Sequence, residues 1–519
     1  MDIYSSIANN TYVTGITKVF LMPTKSGGIP AVAVTRNTAD YITSAYTIMM
    51  ILMFMIGWNL ILLSITAFWR TNDDKETQTA LDVLRTSSDS IRASLLIIEY
   101  SCVIFPRRAM KTVGCWLRSL LAIFIALFIA LAFTVTNIIM GILVPGQLLM
   151  GNVAPPAKNA IFYPDIARYA RYDDNSARIA KISLFQAPSA LRALGAIELS
   201  EVTARERVHI DSGIAGGSAR LSYDYNVTGV DMGLQSDHKL RLRVKGSCHT
   251  DDTWLLNSTD QGDTYRLFGG NDTLEVKYQP DVDLPPMVDF WVDTNTDRES
   301  NFSYAMIVNT GGRYSYTSSE DPWYATDKAG DNELVPYRVR RKRPVLSCWE
   351  AKTWHLNGKD VEGSKLDTLP GLKLDKLWVN KVFPLEFTAP RVVRVGRAAG
   401  PSALKSAFYA QAPVYILDAG ASNIVKDLER LVFASWVSSG NVLRDTTTYD
   451  TEGMENLAAG PGGSVEAASA KFVLQSIDVV TLSVRILISI PTILFFLFVA
   501  ATALSSVYRH SAWGKERGG

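Results

Sequence analysis

Charged residues vanish from the chain three times for long stretches: Tyr41 to Trp69, Ser119 to Gly146 and Ile486 to Tyr508 contain no Asp, Glu, Lys, Arg or His. Wound as a helix at 1.5 Å per residue, each stretch is at least ~33 Å long, enough to cross a ~30 Å hydrocarbon core. The pattern predicts a membrane protein with three transmembrane helices. The region between the second and third has a different texture, with period two from about residue 176 to 361. Leu221, Tyr223, Tyr225 and Val227 alternate with Ser222, Asp224 and Asn226, and Leu240, Leu242 and Val244 alternate with Arg241, Arg243 and Lys245. Phe302, Tyr304, Met306 and Val308 form another such row. These are antiparallel strands with one wet face. Asn357-Gly358 signals a type I′ hairpin. Further on, Ile424, Leu428, Leu431 and Val432 recur at helical spacing, with Ser422 as a possible N-cap. The fold expected for the large segment is thus α+β, antiparallel and β-rich first, helical later.

The pattern divides the chain into an N-terminal arm (1–40), a first span (41–69), a loop (70–118), a second span (119–146), the α+β domain (147–444), a flexible tether rich in Thr, Gly, Ala and Ser (445–484), a third span (485–508) and a tail (509–519). Within the loop, residues 93–105 are apolar apart from Glu99, too short to span, and are expected to lie as a helix at the inner membrane surface. No basic leader precedes a short apolar core near Met1, so the first span is expected to target the chain to the membrane. Ala122, Ala126, Ala130 and Thr134 repeat every four residues on the second span, a small-residue seam for close helix packing. Pro491 is expected to kink or loosen the third. With no ionisable group inside any span, an ion or proton pathway is not expected.

Charge near the spans sets an orientation. Arg70, Lys75, Arg85, Arg92, Arg107, Arg108, Lys111 and Arg118 mark the loop as cytoplasmic, and Arg509, Lys515 and Arg517 mark the tail likewise. Arg485, at the outer mouth of the third span, dissents, but its long side chain can snorkel. The N-terminus and the large segment are then outside, in a plasma-membrane setting. Four glycosylation sequons in that segment agree, at Asn226, Asn257, Asn271 and Asn301, with a fifth at Asn9 in the arm. Cys248 and Cys348 are alone in the outer segment, where an oxidising compartment invites a disulfide, the alternative being two buried thiols. Cys102 and Cys115 fall on the cytoplasmic side.

Bulk composition adds little, because 52 basic residues against 51 acidic ones give no basic surplus for a nucleic-acid partner. No Walker loop, His-Glu-x-x-His, Gly-x-Ser-x-Gly or Cys-x-x-Cys is present. Cys248, His249, Asp251, Asp252 and His238 contain metal-ligand types, but a bridged Cys248 loses its thiolate. Asp281, Asp283, Asp289 and Asp293 include possible acid/base pairs for sugar chemistry, if two stand ~5–10 Å apart. The run Arg338 to Arg343 reads as a charged strand face. Trp254, Trp291, Trp323, Trp349, Trp354, Tyr314, Tyr316 and Tyr324 either fill the core or, where exposed, stack on sugars or grip a partner.

Tyr223-Asp-Tyr-Asn-Val-Thr-Gly-Val-Asp-Met-Gly-Leu-Gln235, Val244-Lys-Gly-Ser-Cys248, Ser347-Cys-Trp-Glu350 with Trp354 and Gly358 following, and Leu369-Pro-Gly-Leu372 resemble a group of uncharacterised multi-span membrane proteins of filamentous ascomycete fungi. The resemblance covers most of the outer segment. It implies a fungal cell-surface setting and no assigned chemistry, and it places both outer cysteines inside recurring motifs, favouring the bridge; separately, no cofactor is expected. The function expected is a non-enzymatic surface glycoprotein that sits in the lipid bilayer and binds wall polysaccharide or a partner membrane protein. The alternatives are a membrane-anchored enzyme acting on wall polysaccharide and a structural subunit of a membrane complex.

Overall fold

A computed structural model describes residues 12–68, 90–99, 116–157, 163–164, 175–278, 285–293, 301–330, 335–363, 365–374, 376, 378–387, 389–411, 416–447, 457–458 and 471–516. It divides into two compact units.

One unit comprises Thr14–Phe20, Pro30–Ala154 and Ile477–Gly519. Its helices Arg36–Phe68, Trp116–Leu148 and Val484–Glu516 each contain a stretch long and apolar enough to cross a membrane, with mean hydropathies of 2.1, 2.4 and 2.4. The first begins at Arg36, ahead of the expected Tyr41, because the Thr35 hydroxyl caps it by accepting from the Thr38 amide (3.4 Å). The strand Val479–Ser483 pairs antiparallel with Ala31 to Thr35 on one side and with Leu149–Gly151 on the other. These pairings tie the chain entering the first span to the exit of the second and the entrance of the third. Residues 471–484, expected as tether, are therefore partly strand.

Pro491 leaves the third helix continuous. Proline has no amide hydrogen, so the Leu487 carbonyl four residues earlier loses its helical donor. The Tyr46 hydroxyl, from the first span, donates to that oxygen instead (2.5 Å). The seam on the second span is occupied as well: Ala126 and Ala130 are buried against Trp58 of the first span and against Ala93 and Ile97 of the helix Ser90–Glu99. The Thr134 hydroxyl donates to Ser90 Oγ (3.1 Å). The short helix thus buries one face, Ser90, Ala93, Ser94 and Ile97, on the spans. Its expected continuation through residue 105 lies outside the described residues, as does the side chain of Ala122.

The other unit comprises Met1–Val13, Leu21–Ile29 and Pro155–Ser476, a longer body than the expected 147–444. Its centre is a seven-stranded antiparallel sheet built from β1 (Val208–Ala215), β2 (Ser218–Thr228), β3 (Arg241–Asp251), β4 (Val288–Val292), β5 (Asn301–Val308), β6 (Val345–Leu356) and β7 (Lys359–Glu362). The order is β4-β5-β6-β3-β2-β1, with β7 paired to the end of β6. Asn357 and Gly358, both left-handed (φ 51° and 81°), make the β6–β7 turn.

One sheet face packs on helices α2 (Arg391–Ala399) and α3 (Ile424–Gly440), which in turn pack against α1 (Asn175–Arg207). Here three expectations need correction. Residues 175–207 are helix and not strand, because Ala190, Ala193, Leu194, Ala196 and Ile197 bury one helical face. The cap of α3 is Asn423 and not Ser422: its side chain accepts from the Lys426 amide (3.0 Å). Arg343 ends the basic run inside the domain, 3.2 Å from Asp263, so that run is not wholly a solvated strand face.

Candidate functional site

Alternation assigns the two faces of the sheet. Even positions of β6 and β3 and odd positions of β2 point toward the helices, and the others point away. On the helix side Cys248 and Cys348 stand opposite each other in register and are joined by a disulfide, buried at 0% and 4% exposure. Beside them lies a buried polar network. Glu350 accepts from the Tyr223 hydroxyl (2.9 Å) and the Arg391 amide (3.0 Å) and sits 3.3 Å from Lys352. The Lys352 ammonium donates to the carbonyls of Phe387 and Ala389, and burial pulls it down to about 8 against the pull of Glu350. Arg391 pairs with Glu386 and reaches Ser438. Gly246 makes the network possible: it lies between Tyr223 and Glu350 in register, and a Cβ there would be 2.2 Å from Tyr223 Cζ.

The outward face is different. At one end a small sheet of Leu255–Ser258, Gly262–Tyr265 and Leu274–Lys277 covers it, packing Tyr265 and Val276 on Ala305, Ile307 and Val345. Arg343 and Asp263 lock that cover in place, and Tyr278 donates to the same carboxylate. Burial raises the Asp263 carboxyl, but hydrogen bonds from Ser258 and Tyr278 and the Arg343 charge outweigh it and hold the group below its ordinary value. Among the described residues, nothing covers the rest of the face. Its first row reads Ser303, Trp349, Ser247, Ser222 across four strands, and the next Asn301, Ala351, Lys245, Asp224. Thr353, Arg243 and Asn226 follow, then His355, Arg241 and Thr228. Arg243 grips Asp224 through two nitrogens (2.6 and 3.1 Å). Beyond the last row the face opens into a cleft of about 810 Å³ lined by Asp231, His238, Arg241, His355 and Trp436.

Trp349 is the large aromatic on this platform among the described residues. It is 46% exposed, and its neighbours on every side, Ser247, Ser303, Ser347 and Ala351, are small. An indole ring standing clear above hydroxyls, with cations and a carboxylate one or two rows away, offers a π-face and hydrogen-bonding groups together. At ~4.8 Å between strands and ~3.3 Å per residue, the rows from Trp349 to His355 extend ~20 Å, the length of several sugar rings.

The other expected residues distribute as follows. Trp323, Trp354 and Tyr324 are fully buried core, Trp254 and Trp291 pack under the small sheet, and Tyr314 and Tyr316 are 41% and 38% exposed. Asn226, Asn257, Asn271 and Asn301 are all exposed, Asn226 on the open face itself; Asn9 lies outside the described residues. The metal grouping is not assembled: Cys248 is bridged, its neighbour His249 points to the opposite face, and His238 lines the end cleft. Among the described residues no three His, Cys, Asp or Glu side chains gather for a metal. Asp281 and Asp283 lie outside the described residues; Asp289 is raised by burial, with Arg397 opposing. The buried pair Glu350 and Lys352 has no signature in residue type alone, although the parity set by Cys348 and Trp354 on the same strand places both inward.

These features define an apolar three-helix unit joined to a β-rich unit with one open, polar sheet face. A family model for a domain of unknown function, DUF8406, matches residues 187–474, more than half of the chain and most of the β-rich unit, and the chain belongs to that family. No curated protein and no solved structure matches it.

Proposed function

We propose that the chain is a fungal surface glycoprotein, N-terminus outside and C-terminus cytoplasmic, whose β-rich unit binds wall polysaccharide on the open sheet face. The observation that carries this reading is Trp349, a half-exposed tryptophan ringed by serine and alanine on an otherwise polar sheet. Leaving such a ring in water costs hydrophobic free energy, on the order of 1 kcal/mol, that burial would recover. A pyranose supplies that burial through its C–H face while its hydroxyls meet the serines, Asp224 and the neighbouring cations. Exposure of all four sequon asparagines in the β-rich unit supports the outside assignment.

The test is binding of the full-length chain, in lipid nanodiscs, to immobilised glucan and chitin oligosaccharides. Trp349→Ala is expected to weaken capture by roughly thirtyfold, the effect of losing an anchor worth ~2 kcal/mol, without lowering the melting temperature. Unchanged capture by the variant, or no capture by the parent, refutes the reading. An endoglycosidase shift that disappears when the four asparagines are changed to Gln checks the topology separately.

A further inference from the structure

A second cleft lies where α1, β1 and α3 meet, sharing no residue with the open face. Its volume is about 480 Å³, within the range of small-molecule sites. Its charged lining is Glu198, Glu201 and Arg205 from α1, Lys426, Glu429 and Arg430 from α3, and Lys405 from the preceding loop. Much of this charge is committed internally. Arg205 Nη2 lies 2.7 Å from Glu201 and 3.3 Å from Glu429, with its guanidinium over the Phe433 ring, and Ser212 donates to Glu429. Lys405 and Lys426 are different: neither has an ion-pair partner among the described residues. On the cleft floor Arg430 is 5% exposed: its guanidinium lies over the Phe408 ring (4.7 Å), its Nη1 pairs with the half-exposed Glu198 (3.0 Å), and among the described residues its Nε donates no hydrogen bond. The buried guanidinium keeps a positive charge under the cleft, and Lys405 and Lys426 add two more at its rim.

The lining fixes the acceptor's chemistry. Four cations face three carboxylates, leaving one positive charge. A single carboxylate neutralises that excess, whereas a phosphate dianion would overshoot it beside three glutamates. Glu198 and Glu201 are acceptors suited to hydroxyl donors, and Ile214 and Val425 give an apolar wall. We propose that this cleft binds a hydroxylated monocarboxylic acid of monosaccharide size, the uronic acid class, with its carboxylate on Lys405 and Lys426, above the buried Arg430 charge. This does not rest on the sheet-face reading.

The experiment is isothermal titration of the full-length chain in nanodiscs with D-glucuronate, D-glucose and inorganic phosphate. Glucuronate is expected to bind at least tenfold more tightly than either of the others. Because Arg430 is buried and its replacement endangers folding, the variant is Lys405→Gln with Lys426→Gln, a half-buried and an exposed lysine. It is expected to lose at least tenfold in glucuronate affinity, while Trp349→Ala changes it less than twofold. Absence of glucuronate binding, equal binding of glucose, tighter binding of phosphate, or indifference to the double lysine change each overturns the proposal. The Trp349→Ala control keeps that failure separate from a failure of the sheet-face reading.

Discussion

Asp427 offers the sharpest test of the packing in the β-rich unit. It lies in the first turn of α3 with its carboxyl wholly buried, accepting from the Tyr324 hydroxyl (2.6 Å) and from the Ser406 amide (2.7 Å). Burial pushes this carboxyl from 3.8 up to about 6, against the pull of those hydrogen bonds. The sign follows directly. Between pH 3.8 and 6 the folded chain keeps a proton that the unfolded chain releases, so this group's contribution is complete below the lower value and is lost as pH rises through the upper one. A shift of about two units, at 1.36 kcal/mol each, makes the loss ~3 kcal/mol by pH 8. Asp427→Asn removes the titration while keeping the shape: the amide oxygen accepts from Ser406 and the amide nitrogen donates to the Tyr324 oxygen. The two proteins should therefore be nearly equal in stability at pH 4, and the variant more stable by ~3 kcal/mol at pH 8. Denaturant unfolding followed by tryptophan fluorescence reads this, since Trp323 is buried beside the site. Asp237 and Asp289, also raised by burial, are present in both chains, and their own titrations largely cancel in the difference, whereas Asp321, likewise raised, adds its charge to the rise of Asp427 and is part of what the difference reads. A difference that stays flat from pH 4 to pH 8 refutes the assignment.

Three further outcomes are expected. Tyr46→Phe should destabilise the apolar unit by about 1 kcal/mol in micelle unfolding, by orphaning the Leu487 carbonyl, and the loss should shrink when Pro491→Ala restores the missing amide. Gly246→Ala forces the Tyr223 ring off Glu350 and should cost about 3 kcal/mol or more, read as a lowered melting temperature; a cost under ~0.5 kcal/mol would mean that the ring moves freely. Replacing Cys248 and Cys348 by Ala opens a loop of sequence separation 100 and should lower stability by ~2–5 kcal/mol in denaturant titration, with no further effect of reductant.

What could be read from the sequence and what could not divides along a physical line. The spans were legible because a bilayer demands long uncharged runs, and the strand rows at Leu221 to Val227 and Leu240 to Val244 because one of their faces meets water. Helix α1 is not legible in the sequence because its buried face is mostly alanine, which contrasts weakly with its polar neighbours in hydrophobicity. The small sheet over Ala305 and Ile307 is a long-range contact with no local signature, so nothing in the sequence separated the covered end of the face from the open one. The cleft around Arg430 depends on α1 meeting α3, again invisible to any local pattern.

Strand β6 shows why the open face needs the rest of the fold. In Cys348-Trp349-Glu350-Ala351-Lys352, hydrophobicity alone would bury the tryptophan and expose the glutamate and lysine. The observed register does the reverse: Trp349 faces out, and Glu350 and Lys352 are fully buried. A slip of one residue would exchange every side chain between faces, moving the indole into the core and the two charges into water. Three devices oppose the slip. The disulfide locks Cys348 opposite Cys248, Glu350 is held by Tyr223 and the Arg391 amide, and Lys352 is held by two backbone carbonyls. The arrangement spends buried hydrogen bonds and a covalent bridge to keep one large aromatic side chain outside, where it contributes nothing to the core. Packing among the described residues supplies no reason for that expense, and the ligand proposed for the open face would supply one. It follows that opening the bridge should weaken glycan capture under conditions where the chain is still folded, a loss that stability alone would not produce.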